Sequence, residues 1–299
     1  MLGPAILHSV SYSGSWGQAA LTVDAFVDKA AELGFEGVML MAKRPHVSVL
    51  DCDADARARL RDRIAKAGLT TVVIAGYTNF TADLEHSEVP HREIQIHYVT
   101  KLARLTRDLG GTVLRIFTGY DHPASNYTAQ WNMIVAALKE CARRTAEFGV
   151  TIGVQNHHDM AVGWQSLQDL MRAVDEPNCR PLFDAWAPAL HGDELYTPAR
   201  TFGSACPHTT VADYQLRPRY KYNPALVNYE KELAYTQAVP MGEGFIDYRG
   251  FFTGLTDGGF AGSVAYEMCS PLLHGSSLAT LDDYARRFLT YMKEFKAPR

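Results

Sequence analysis

The stretch VTIGVQNHHDM, residues 150–160, places Gln155, Asn156, His157, His158 and Asp159 directly after the apolar run Val150, Ile152 and Val154. Imidazole, amide and carboxylate groups gathered where a buried strand ends can move protons, bind a hydroxyl-rich ligand or ligate a metal. Other apolar runs end in the same manner. The first ends near His8, and the second runs into MAKRPH, with Lys43, Arg44 and His46. Tyr77 and Arg115 close two more, Asp184 and Trp186 follow PLF, and His208, Thr210 and Asp213 mark another. Glu267 follows SVAY. A single histidine in such a place is most often a hydrogen-bonded loop residue. Asp184 and Glu267 demand more, because an unpaired carboxylate is costly to bury after an apolar run. A metal ion shared between carboxylates and imidazole would compensate that cost.

The elements that must carry these residues repeat. AAELGFEGVMLM (30–41), IAKAGLTTVVIAG (64–76), TRDLGGTVLRIF (106–117) and TAEFGVTIGVQN (145–156) each read as a helix end, a glycine and a β-branched strand. Gly34, Gly68, Gly110 and Gly149 sit where a left-handed residue commonly stops a helix. Upstream, Val23, Phe26, Val27, Ala30 and Leu33 share one helical face, as do Tyr98, Leu102, Leu105 and Leu109, and Ile134, Leu138 and Cys141. The strands are continuous apolar runs, the mark of parallel strands covered by helices. Residues 5–10, 180–186, 208–214 and 263–268 bring the count to eight. Eight such units imply an α/β fold, a (β/α)8 TIM barrel formed as one domain over residues 1–299, with its active site at the carboxyl ends of the strands. An open doubly wound sheet has less support, since no G-x-G-x-x-G follows the first strand. The excursion 215–247 is the longest between strands and predicts a lid or a subunit contact, the latter making the protein a homo-oligomer.

Bulk properties narrow the function. The chain of 299 residues is 47% hydrophobic and 21% charged, with a net charge of −4; its pI is about 6.3. That balance argues against a nucleic-acid partner, which calls for a basic face. No segment approaches the ~20 apolar residues of a membrane span, and the N-terminus lacks the basic start of a secretion signal. Cys52, Cys141, Cys179, Cys206 and Cys269 show no C-x-x-C spacing, so reduced thiols and a cytoplasmic setting are expected.

GVQNHHDM, FDAWAPALHGDEL, HTTVADY, PMGEGFIDY and VAYEMCSPL give the chain a resemblance to the xylose-isomerase-like barrels, the sugar-phosphate isomerase and epimerase group related to apurinic endonucleases. The resemblance runs over nearly the whole chain. It implies a divalent metal, Mn²⁺, Mg²⁺ or Zn²⁺, held from strands five to eight, and maps Asp184 and Glu267 onto two of the ligands. The other two depart from the pattern. Gln155 stands where the family usually has Glu, and Thr210 where it usually has His, with His208 two residues earlier on the same side of the strand. The implied metal set is therefore Gln155, Asp184, His208 and Glu267.

The resemblance also implies chemistry: moving a proton next to the carbonyl of a keto-sugar, through an enediolate, with a carboxylate as the shuttle. Gln155 cannot be a base, which leaves Glu267. His157, His158 or Glu243 of GEGFIDY would have to serve the opposite face in an epimerase. Trp186, Arg115, Asn156 and His158 are the expected sugar contacts. By charge alone, Lys43, Arg44 and Arg115 would suit a phosphate or a sugar acid, although exposed basic residues are usually just solvated. Isomerase or epimerase is the leading expectation. A lyase needing one base, and a metal-free sugar-binding relative, stay open.

Overall fold

The computed structural model describes residues 2–296. Each helix starts and stops for local reasons. In α1 (Val23–Leu33) the Thr22 hydroxyl accepts from Ala25 N, and Gly34 ends the helix with a φ of 89°. A residue with a Cβ would be strained there. Asp53 caps α2 (Ala54–Lys66) and Asn126 caps α4 (Tyr127–Thr145) in the same way. Between the last two lies α3 (His91–Asp108), which begins seven residues before the stripe expected at 98–109.

Eight parallel strands form the sheet. They are β1 (Ala5–His8), β2 (Gly37–Met41), β3 (Thr71–Ala75), β4 (Val113–Ile116), β5 (Thr151–Gln155), β6 (Cys179–Leu182), β7 (His208–Val211) and, after a hairpin described below, β10 (Ser263–Tyr266). Their order is β6-β5-β4-β3-β2-β1-β10-β7, the nearly closed (β/α)8 barrel expected. The seam lies between β6 and β7. Pro181 within β6 has no N–H to offer a ladder there, and Thr209 Oγ1 bridges the gap by donating to Phe183 O at 2.8 Å. Helices α5 (Trp164–Val174), α6 (Trp186–Leu190), α7 (Tyr196–Phe202), α8 (Tyr248–Asp257) and α9 (Leu278–Lys296) complete the outer layer.

Two cores result. Outside the barrel, the apolar helix faces pack on the outward strand residues, Phe26, Leu40, Leu102 and Leu138 among them. Inside, Ile6, Met39, Val73, Ala75, Val113 and Ala265 fill the floor, with Tyr77 against them. The strands are shorter than their apolar runs. After His8 the chain turns into a 3₁₀ helix at Ser9–Tyr12, because the His8 ring accepts from Val10 N and diverts the backbone.

The segment after β7 is a long antiparallel ribbon, β8 (Asp213–Asn223) paired with β9 (Asn228–Val239). One side carries the Arg219–Glu232 ion pair and the facing Lys221 and Glu230. The other carries exposed Leu216, Tyr220, Tyr222, Tyr229 and Leu233. Its base folds back on the barrel, where Asp213 Oδ2 accepts from Gly242 N and Gly244 N, both at 2.9 Å. The five cysteines are all free. Among the described residues no helix is long and apolar enough to cross a membrane.

Candidate active site

Side chains on a strand alternate between faces, and here the alternation continues one step past each strand into the loop. His8 is followed by Val10, Met41 by Lys43, Arg115 by Phe117, Gln155 by His157, Asp184 by Trp186, and Glu267 by Cys269. At the carboxyl rim these positions, His8 and Met41 excepted, line a cavity of about 390 Å³, joined by Trp16, Tyr77, His158, Thr210, Tyr214 and Tyr248. Phe117, Tyr214 and Cys269 were not anticipated, although two-residue spacing from Arg115 and Glu267 was the signal for two of them.

The orphaned polar atoms converge on this cavity. Among the described residues the buried side-chain atoms without a hydrogen bond are Tyr77 Oη, Arg115 Nε and Nη1, Gln155 Oε1, His158 Nδ1, Trp186 Nε1 and Gln95 Oε1. All but the last belong to its lining. Buried polar groups are ordinarily paired, so the cluster marks a place built for a hydrogen-bonding ligand.

Arg115 projects from β4 into the barrel, between register partners Ala75 and Gly153, whose small size leaves it room. It is fully buried. Its guanidinium lies 4.2 Å from the Phe117 ring centre and 5.1 Å from that of Tyr77. Nη2 stands 3.5 Å from Glu267 Oε1 and 3.4 Å from His8 Nε2. The Glu267 side chain is 14% exposed and lines the cavity. Lys43 adds a second cation, with Nζ 4.0 Å over the Tyr77 ring; burial, and then Arg115, lowers its pKa.

Asp184 accepts from Gln155 Nε2 and, at 3.0 Å, from Trp186 N. Burial pushes its pKa up to about 7, with nearby Glu267 adding to the rise. His157 is lowered to about 3 by burial and by His158, and His158 to about 4 by burial and Arg115. Both are neutral near pH 7. His157 Nδ1 accepts from His158 N at 2.9 Å, so its other nitrogen faces outward as a donor. His158 sits at a φ of 55°, unusual for a residue with a side chain, and its Nε2 meets Tyr120 Oη at 3.0 Å.

Three expected site residues lie elsewhere. Glu243 is outside the cavity, in an exposed ion pair with Arg287. The turn it occupies is tied to Asp213 through Gly242 and Gly244 and points it away. Asn156 is fully buried and works on the backbone: its Nδ2 donates to Asp184 O at 3.0 Å and its Oδ1 accepts from Asp184 N at 2.7 Å. It positions Asp184 and has no face left for a sugar. His208 faces the barrel interior below the cavity, with Nδ1 2.8 Å from Ser263 Oγ and Nε2 3.3 Å from Met39 Sδ. Burial lowers its pKa to about 3.

Three residues of the metal set implied by the sequence, Gln155, Asp184 and Glu267, line the cavity, and His208 does not join them there. Both His208 nitrogens are engaged away from Asp184. Gln155 turns its N–H donors toward Asp184 and Thr210, and its Oε1 is without a hydrogen-bond partner. The Arg115 cation already sits beside Glu267. Among the described residues no group of three or more His, Cys, Asp or Glu side chains could hold a metal ion. The residues present do not fit the divalent ion.

A parallel barrel with polar side chains converging at its carboxyl rim is the (β/α)8 class. Within it, the chain belongs to the xylose isomerase-like TIM barrel family, whose model matches residues 27–292. No curated protein sequence matches significantly. Among solved structures, a D-psicose 3-epimerase described in the presence of D-fructose is similar with a TM-score of 0.73 and 16% identity, over 98% of this chain and 99% of that one. An L-ribulose 3-epimerase gives 0.73 and 17%, over 98% and 94%. A probable 3-DHS dehydratase of Bacillus anthracis gives 0.71 and 16%, over 96% and 98%. At these identities the likeness establishes the fold.

Proposed function

We propose that the protein is an enzyme that moves a proton next to the carbonyl of a sugar-like substrate, with Glu267 as the base. The observation that carries this reading is Glu267 itself. It is a cavity-facing carboxylate with Oε1 3.5 Å from the Arg115 guanidinium and 3.6 Å from the His8 ring, while both oxygens of the other carboxylate, Asp184, accept hydrogen bonds. A carboxylate fixed beside a guanidinium is held in one orientation and still opens to the cavity where a substrate would lie. The unpaired donors of the lining suit hydroxyl groups, and the aromatic side chains of Phe117, Trp186 and Tyr214 suit the ring or chain carbons.

One base on one face favours 1,2-isomerisation over two-base epimerisation. Glu243 is outside the cavity, the His157 Nδ1 lone pair is taken up by His158 N at 2.9 Å, and His158 Nε2 meets Tyr120 Oη at 3.0 Å. The same single base supports elimination as the second reading. The family and its sugar epimerase and dehydratase neighbours agree with either. Incubating ketoses, aldoses and keto sugar acids in D₂O tests the proposal. Deuterium entering beside the carbonyl, with a product of unchanged formula, is the isomerase result. An unsaturated product is the lyase result. No exchange with any compound, in protein that still binds one of them, defeats the proton-transfer reading.

A further inference from the structure

We propose that the apolar side of the β8–β9 ribbon is a self-association surface, covered in solution by the same side of a second copy of this chain across a two-fold axis.

The ribbon has one side made for water and one that is not. Its strands of 11 and 12 residues reach about 35 Å at ~3.3 Å per residue. On the polar side the charges are met locally. Arg219 pairs with Glu232, Lys221 faces Glu230, and Arg217 Nε donates to Gln237 Oε1 at 2.9 Å. The other side carries Leu216, Tyr220, Tyr222, Tyr229 and Leu233, between 47% and 90% exposed. Among the described residues no helix covers it in the way that α1 to α5 cover the barrel strands. A two-stranded ribbon alone is marginal in water, and an antiparallel sheet ordinarily buries one of its faces.

The size of the patch fits a dimer. At the ribbon tip Leu226 and Val227 extend it, 65% and 79% exposed. Taking ~150–250 Å² for a whole aromatic side chain, the seven residues expose on the order of 1,000 Å². Monomeric proteins rarely show a contiguous apolar patch beyond a few hundred Å². One partner in a stable interface of standard size contributes about 800 Å².

Charge selects the second copy as the occupant. A surface that meets itself across a two-fold axis must not set like charges opposite one another. The polar side fails that condition, since Arg217, Arg219 and Lys221 run in a row along β8. The apolar side satisfies it. Lys231 is its single charge, in register with Tyr220, and tyrosine rings can receive an ammonium group. The root of the ribbon is fixed as well, by the bonds from Gly242 N and Gly244 N to Asp213. A surface presented at a set angle loses little freedom on pairing.

Sedimentation equilibrium on the full chain, over a wide concentration range, tests this directly. The parent should behave as a dimer of the 33.2 kDa chain. Leu233→Glu and Tyr222→Glu each put a carboxylate into the contact and should raise the dimer dissociation constant about tenfold or more, as changes at central interface residues do. Lys221→Gln, on the polar side, should leave it unchanged. All three positions are exposed, and circular dichroism melts matching the parent would show that the variants fold. A parent chain that stays monomeric at every concentration overturns the proposal; that is the result for a ribbon that closes over its own cavity or serves a foreign protein. Dimers left intact by both carboxylate variants overturn it too, because the contact then lies elsewhere. So do masses that keep rising with concentration, which exclude a closed two-fold pair.

Discussion

Asn156 and Asp184 are joined by two hydrogen bonds, Nδ2 to the Asp184 carbonyl at 3.0 Å and Asp184 N to Oδ1 at 2.7 Å. The pair stitches the end of β5 to the end of β6, the strand that borders the open seam of the barrel. Replacing Asn156 with Ala would leave a buried N–H and a buried carbonyl unpaired, each costing about 1–3 kcal/mol. Urea melts of Asn156→Ala should show a loss of that order. An unchanged midpoint would mean that the stitch contributes nothing.

Glu267→Gln removes the base and keeps the shape. Deuterium exchange should fall ~10²–10⁴-fold, the usual range for one general base. Ligand binding in calorimetry should survive. A loss of less than tenfold would move the base elsewhere.

Gln155→Glu puts a carboxylate against Asp184 where an amide donor now sits. Like charges in contact raise each other's pKa, so the variant should be less stable at pH 8 than at pH 5 relative to the parent chain. Thermal melts at the two values, with and without Mn²⁺, measure this. Full recovery of stability by Mn²⁺ in the single variant would show that a metal site was one residue away, against the view that Arg115 excludes it.

His46 supplies a pH dependence away from the cavity. Its ring lies between Ser9 Oγ at 2.9 Å and Leu21 O at 3.1 Å, and burial lowers its pKa. The unfolded chain takes up a proton near pH 6.5 and the folded chain resists until lower pH. Stability from this site is therefore complete above pH 6.5 and declines as the pH falls below it. His46→Gln should flatten that part of the stability curve between pH 6.5 and 5. An identical slope in the variant would remove His46 from the account.

Gly244→Ala tests the base of the ribbon. A Cβ there would lie 2.4 Å from Asp213 Cγ and 2.5 Å from Tyr214 O. Both the turn and the Asp213 hydrogen bonds would have to shift, at a cost of about 1–3 kcal/mol, typical of overpacking. Melts of the variant should be lower by that amount, and a parent-like melt would show that the turn is free to move.

The barrel was legible because its signals are local. Gly34, Gly68, Gly110 and Gly149 all take positive φ, as a helix stop requires. The stripe Phe26, Val27, Ala30 and Leu33 is buried as its spacing predicts. The ribbon was legible only as a long polar excursion. Its strands gain pairing from each other, and little apolar alternation is imposed on residues exposed to water.

The site divided along a similar line. Which residues stand at strand ends follows from where apolar runs stop, and so Arg115, Gln155, Asp184, Trp186 and Glu267 could be named from the sequence. What each of them faces depends on neighbours distant in the chain. Glu267 meets Arg115 from 152 positions away, and Gln155 meets Asp184 from the next strand. His208 is turned to Ser263 and Met39 by the packing of β7 against β10 and the barrel floor. Glu243 is held outside by Asp213. Chain order alone determined the strands, the helices and the list of polar ends, since these rest on contacts within a few residues. The tertiary structure decided that a guanidinium sits against Glu267, because charge compensation is settled between side chains that only the closed barrel brings together.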